Sequence, residues 1–312
     1  MVRASLSLSL CLCACTEYGL NGGKQEAPDT GDPSPGPPQV QDHWELDEVA
    51  GADVLFFGDT SGSMLEELQT LGDQVTGFVE GLSDYTQDWQ LLAVTGPDGC
   101  GNGGLITPSS PDYAASFAQG ILQVPGEDLV DEWGLYNVVQ ALEQTDPGEC
   151  NEGFLRDEAL LTVVFISDED DNSPGWDGGD PSYWQPYVDA VIARKGDASA
   201  VTFSAVVGPV PDGCVGAEPG YGYVEAVEAT QGALLSICDA WYDQLGLLVD
   251  ATVHQELFEL TLRPVPETID VAVDYYVHRD GWEYDAELNA VRFLVAPPVS
   301  GDSVTIRYDR AD

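Results

Sequence analysis

From about residue 50 the chain alternates two kinds of apolar pattern. Short, almost continuously apolar runs at 54–58, 90–95, 160–167, 201–207 and 233–237 read as buried strands. Between them, longer runs at 64–82, 128–143, 183–195, 221–230 and 241–251 carry apolar residues three and four positions apart, as helices do. Buried strands alternating with helices predict an α/β fold with a doubly wound, mostly parallel sheet. After residue 251 the period falls to two. The runs ELFELTLR, TIDVAVDYYV, AVRFLVA and DSVTIRYD are separated by Pro and Gly turns. They predict a small antiparallel β domain over 252–312, the other reading being a β extension packed on the α/β domain.

Residues 16–42 have no apolar period and are dominated by Pro, Gly, Asp and Gln. Such a segment cannot bury enough apolar surface to order itself. It is expected to be a disordered tether over 15–42, leaving 43–251 for the α/β domain.

The first residues, MVRASLSLSLCLCAC, place Arg3 before an apolar stretch too short to cross a bilayer. The ending Leu12-Cys13-Ala14-Cys15 resembles a bacterial lipobox. The resemblance implies a signal peptide over 1–14 and a lipidated Cys15 as mature N-terminus; cleavage at an ordinary small residue is the alternative. Four cysteines lie beyond it: Cys100, Cys150, Cys214 and Cys238. An even number in an exported chain predicts two disulfides. Cys214 and Cys238 flank one helix-like run, which favours the pairs Cys214–Cys238 and Cys100–Cys150. None of the four forms a CxxC pair, which argues against zinc.

Charge changes the picture most. The sequence holds 10 Lys+Arg against 55 Asp+Glu, a formal net charge of −45. A basic surface for nucleic acid is excluded, as is direct adsorption to anionic headgroups. Membrane contact is expected through the lipid anchor alone.

The candidate chemistry lies in Gly58-Asp59-Thr60-Ser61-Gly62-Ser63-Met64, where the first strand turns into the first helix. In open α/β sheets, ligands sit at the carboxyl ends of strands. A second acidic group, Ser167-Asp168-Glu169-Asp170-Asp171-Asn172, ends a later strand. An all-oxygen set with few carboxylates suits Mg²⁺, Mn²⁺ or Ca²⁺, with water completing the shell. Asp-x-Ser-x-Ser after a buried strand, with a later Asp at another strand end, resembles the metal-ion-dependent adhesion site of von Willebrand factor A domains. The resemblance covers roughly residues 50–250. DEDDNS and its acidic loop are also similar to bacterial outer-membrane lipoproteins with such domains. It implies that Asp59, Ser61, Ser63 and Asp168 hold the ion, directly or through water. The family also supplies a Thr before a helix that often begins Gly-Leu. Here that loop, PGEDLVDEWGL, has neither Thr nor Ser. Glu132 is the expected substitute, from among Glu127, Asp128, Asp131 and Glu132.

Other chemistries fit less well. An aspartyl-phosphate motif of the form DxDx(T/V) needs a second acid where Ser61 stands. A serine nucleophile needs a base, and the histidines are His43, at the end of the linker, and His254 and His278, in the β region. An EF-hand loop begun by Asp168, Asp170 and Asn172 would need Gly and Glu where Ser173 and Gly179 stand. Glu169–Asp171 is otherwise expected to be a solvated loop. The aromatics Trp133, Trp176, Tyr183 and Trp184 are expected to pack locally. The sequence therefore predicts no enzyme. It predicts an envelope-anchored lipoprotein, on the periplasmic or surface face of the membrane, that binds a divalent cation and through it a protein or other acidic ligand. The alternative is a structural or assembly component of the envelope in which the metal only stabilises the fold.

Overall fold

Among the described residues, five strands alternate with helices as the apolar pattern predicts, with one further helix between the second and third strands of that series. The computed structural model describes residues 39–46, 51–124, 133–175, 182–253, 257–286, 288–294, 297–298 and 301–311. They belong to one compact unit, Gln39–Asp312. After strand β1 (Gln39–Glu45), the α/β part runs β2 (Ala52–Gly58), α1 (Leu65–Ser83), β3 (Trp89–Val94), α2 (Tyr113–Ile121), α3 (Gly134–Glu143), β4 (Leu160–Ile166), α4 (Gln185–Lys195), β5 (Val201–Val207), α5 (Tyr223–Thr230), β6 (Leu234–Ser236) and α6 (Leu245–Val253). The sheet order is β3-β2-β4-β5-β6, parallel throughout.

Strand β2 explains the layering. Every residue in it is buried, and successive side chains point to opposite faces. Val54 and Phe56 join one core with Leu68, Leu71, Val75 and Phe78 of α1, Phe117 of α2 and Leu248 of α6. Leu55 and Phe57 join the other, with Leu135 and Val138 of α3, Val188 of α4 and Tyr223 of α5. Phe56 meets Phe78 and Phe117 edge-on, at 5.4 and 5.0 Å between ring centroids. Each such pair contributes about 1 kcal/mol beyond burial.

Helix α2 has no counterpart among the predicted helices. It has only 9 residues, shorter than the window over which a helical period is read, and buries Phe117, Gly120 and Ile121. Its signals are Asp112, which accepts from the Ala115 N–H at 3.3 Å as N-cap, and close packing of Ala118 against Gly72.

The β-rich part contains β7 (Leu257–Glu259), β8 (Asp270–Val273), β9 (Tyr276–His278), β10 (Trp282–Asp285), β11 (Ala290–Phe293) and β12 (Ser303–Asp309). They form an antiparallel sheet β1-β12-β8-β9 and a second one β10-β11-β7. TIDVAVDYYV is a hairpin rather than one strand, turning at Asp274 and Tyr275, both at positive φ. These sheets have their own apolar core, including Phe258, Val271, Phe293, Ile306 and Tyr308.

The tether boundary needs correction. Residues 39–42, expected to be disordered, open strand β1, which pairs with β12 from Gln39↔Asp309 to Glu45↔Ser303. The β-rich part therefore draws on both ends of the described chain, and His43 belongs to it. QVQDHWE alternates exposed and half-buried positions. Asp42 secures the strand, accepting from Tyr308 Oη at 2.7 Å and from Thr261 Oγ1 at 2.7 Å.

Both expected disulfides are present, Cys100–Cys150 and Cys214–Cys238. At the amino end of β2, fully buried Asp53 accepts from Arg156 Nε and from the Arg156 backbone N–H, each at 2.8 Å. The same guanidinium reaches Asp88 at 2.6 Å. Burial pushes the Asp53 carboxyl up to about 6, against the pull of Arg156.

Removing one member of a buried pair leaves the other charge uncompensated. Arg156→Met is expected to lower stability by about 3–5 kcal/mol in urea melts. Adding Asp53→Asn to that variant is expected to restore part of the loss.

Candidate functional site

The sheet order places the ends of β2 and β4 side by side. From β2 the chain steps outward to β3, then crosses back to the other side of β2 for β4. A crevice opens at such a switch point, at the carboxyl ends of the strands. Asp59 immediately follows β2, and Ser167 and Asp168 follow β4. The pairing Gly58↔Ile166 sets them level, and the Asp59 N–H continues the ladder to the Ile166 carbonyl at 3.0 Å.

The loop from β2 to α1 is shaped by Asp59 itself. Its Oδ1 accepts from the Ser61 N–H at 2.8 Å, an Asx turn that carries the chain round toward α1. Ser61 Oγ then lies 3.2 Å from Ser63 Oγ and donates to Asp168 Oδ1 at 3.4 Å. The four predicted oxygen donors thus converge. Asp59 and Asp168 are only 4% and 7% exposed, while Ser63 is exposed, so the set opens to solvent on the serine side.

Ser167 is a member of the site that the motif reading missed. Fully buried, it donates from Oγ to Asp59 Oδ2 at 2.7 Å and accepts from the Glu169 N–H at 3.1 Å. It therefore fixes the plane of the Asp59 carboxylate. Its signal was its position directly after an apolar strand and before an acid.

The acidic run divides between two jobs. Asp168 joins the oxygen set. Asp171, expected to be solvated, is fully buried and accepts from the Leu135 N–H at 3.0 Å and Ser173 Oγ at 2.8 Å. Ser173 Oγ accepts in turn from the Tyr136 N–H at 2.9 Å. Together they satisfy the free N–H groups at the start of α3, where negative charge is favoured. Glu169 and Asp170 are half-buried. The aromatics pack locally: Tyr183 Oη donates to the Asp171 carbonyl at 2.7 Å, Trp133 stacks edge-on to Tyr136, and Trp184 lies against the core of that face. Glu132, with Glu127, Asp128 and Asp131, lies outside the described residues, as do Trp176, Gly179 and His254.

Electrostatics set Asp59 apart. Burial is the largest influence and pushes its carboxyl up, and the neighbouring charge of Asp168 adds to this. Hydrogen bonds from Ser61 and Ser167 act the other way, and among the described residues no Lys, Arg or His forms an ion pair with Asp59. Among the described residues, no group of three or more His, Cys, Asp or Glu is arranged to hold a metal. What the site offers is two carboxylates and two hydroxyls. That donor set fits a hard divalent cation with water in the remaining positions, and it lacks the soft or nitrogen donors that other metals prefer.

No family model and no curated protein matches the chain. Among solved structures, proximal thread matrix protein 1 from the mussel byssus, in its crystal form 2, is 15% identical with a TM-score of 0.37 over 66% of this chain. A second structure of the same protein is 13% identical with a TM-score of 0.35 over 68%. In both, this chain spans 47% of the other chain's length.

The buried carboxyls predict a pH dependence. Asp53 is raised to about 6, Asp171 to about 7 by burial, and Asp59 is raised as well. Each keeps its proton in the native state after the unfolded chain, near the ordinary value of about 4, has lost it. Stability from these groups is full below about pH 4 and is lost as pH rises through 6 and 7. In EDTA, Tm should therefore fall between pH 5 and 7.5, apart from the acid limb. Asp171→Asn should flatten the part of the fall above pH 6, read by circular dichroism.

Proposed function

We propose that residues 51–253 form a von Willebrand factor A-type domain whose oxygen set binds a divalent cation and, through it, an acidic group of a partner. The observation that carries this reading is a pair of buried carboxylates, Asp59 and Asp168, brought together at the switch point with hydroxyls and, among the described residues, with no basic partner in an ion pair. Such a pair is unfavourable unless protonated or matched by a cation. When bound, Mg²⁺, Mn²⁺ or Ca²⁺ supplies an open coordination position for an acidic ligand.

The residues divide the work. Asp59 and Asp168 provide the negative charge. Ser61 and Ser63 provide neutral oxygens, Ser63 on the open side. Ser167 orients Asp59 and keeps one of its oxygens hydrogen-bonded. The chemistry is coordination, with no bond made or broken, and it asks for no nucleophile or base. The exposed side chain of Leu65, two residues beyond Ser63, gives a protein partner an apolar contact beside the ion.

The lipobox-like Leu12-Cys13-Ala14-Cys15 and the two disulfides support an exported lipoprotein held at a bacterial envelope through Cys15. The depth of Asp59 and Asp168 favours a second reading, an envelope component in which the ion only stabilises the fold. Pull-down with and without EDTA separates the two. Loss of an EDTA-sensitive partner in folded Asp59→Ala supports capture; no such partner supports the stabilising role.

Two outcomes are expected. Mg²⁺, Mn²⁺ or Ca²⁺ should raise Tm, by mass action worth about 2.7 kcal/mol at a hundredfold excess over Kd, and EDTA should reverse it. Asp59→Ala should abolish the rise, and Ser61→Ala or Ser63→Ala should weaken it. A folded wild-type protein indifferent to all three ions would remove the cation reading. Mass spectrometry should find the mature chain starting at a lipidated Cys15, and an unmodified start elsewhere would remove the anchor.

A further inference from the structure

The segment between β5 and α5, residues 208–222, is tied to the candidate site by its backbone. Its ends are drawn together, Gly220 N–H donating to the Gly208 carbonyl at 2.9 Å. Its tip is a small turn in which Cys214 and Ala217 exchange backbone hydrogen bonds at 2.9 and 3.2 Å. From the returning limb, the Glu218 N–H donates to the Asp168 carbonyl at 2.8 Å. One turn later the Tyr221 carbonyl accepts from the Asp171 N–H at 2.9 Å. The segment thus grips the acidic run at two points, and one of them is the backbone of Asp168.

The tip is held from a third direction. Cys214 is bonded to Cys238, just after β6, and Ile237 N–H is fixed to the Val207 carbonyl at 3.0 Å. The disulfide therefore joins the strap to the edge of the sheet. Packing leaves the strap little freedom at its root, because a Cβ on Gly208 would collide with the Glu218 carbonyl oxygen. Asp168 lies two residues beyond the last ladder pair of β4, so the sheet brings it level with Asp59 through Ser167, but no ladder pair includes Asp168 itself.

We propose that this strap, closed by Cys214–Cys238, is the positioning element for Asp168, holding its carboxylate against Ser61 in the geometry that a cation requires. The proposal rests on the cation reading of Asp59, Ser61, Ser63 and Asp168. Cys214, Cys238 and Glu218 touch no ion. They act through the Asp168 backbone, as residues behind metal ligands do. Opening the disulfide frees the tip, lets the Glu218–Asp168 bond fray, and lowers affinity without removing a ligand.

The test compares Cys214→Ser/Cys238→Ser with Cys100→Ser/Cys150→Ser, whose disulfide ties the loop after β3 to the segment after α3. Two quantities are read: Mn²⁺ affinity from the free-ion electron paramagnetic resonance signal, and exchange of the Glu218 amide in EDTA. The first variant should bind Mn²⁺ about tenfold more weakly and lose Glu218 protection. The second should keep both close to wild type even where its Tm falls. Gly208→Ala, which forces the strap away with both disulfides intact, should act like the first variant and serves if that variant does not fold. Wild-type Mn²⁺ affinity or Glu218 protection in both strap variants would overturn the proposal alone. Absence of Mn²⁺ binding in the wild type would overturn the cation reading and this proposal with it.

Discussion

Two carboxylates ending adjacent parallel strands, in a nearly closed position, constrain everything built around them. Parallel pairing at Gly58↔Ile166 sets Asp59 and Asp168 close to one another. Burial removes the water that would screen them. The surrounding structure answers with donors: the Ser61 N–H and Ser167 Oγ on Asp59, and Ser61 Oγ on Asp168. Hydrogen bonds lower the cost of the charge without cancelling it. The turn into α1 and the buried serine after β4 both supply such donors.

Most of the sheet was legible because its strands are buried on both faces and read as unbroken apolar runs. All five strands lie at their expected places within one or two residues. Helix α2 was not legible, because its 9 residues are too few to establish a helical period. Strand β1 was masked by the Pro-rich stretch before it. Its partner is β12, at the far end of the chain, and local pattern cannot announce a pairing across that distance. The hairpin of β8 and β9 was hidden for a different reason: Asp274 and Tyr275 take positive φ without the Gly that usually signals it.

At the site, the motif located the oxygens and left out what orients them. Asp59, Ser61, Ser63 and Asp168 were readable because their residue types declare their chemistry. Ser167 was not, since a serine after a strand has many uses, and only the register shows that it faces Asp59. Asp171 was misread as solvated because a run of acids looks like a solvent-facing loop. Its burial follows from the N-terminus of α3, whose free N–H groups need acceptors that only the folded chain brings near.

The two ends of β2 offer a comparison within one molecule. At the amino end, buried Asp53 is matched by Arg156, which also spans to Asp88, with Lys195 donating to the Arg156 and Asp157 carbonyls beside it. At the carboxyl end, neither Asp59 nor Asp168 forms an ion pair among the described residues. Basic residues are scarce in this chain, 10 Lys+Arg against 55 Asp+Glu, yet the fold brings two of them to the end where the charge is sealed in. The other end keeps an equally deep carboxylate beside a second one and faces exposed Ser63. A purely structural solution was available within the same strand, in the form of an arginine. Among the described residues no arginine pairs with the carboxylates at the open end, where a guanidinium would fill the place that the proposed site leaves to a cation.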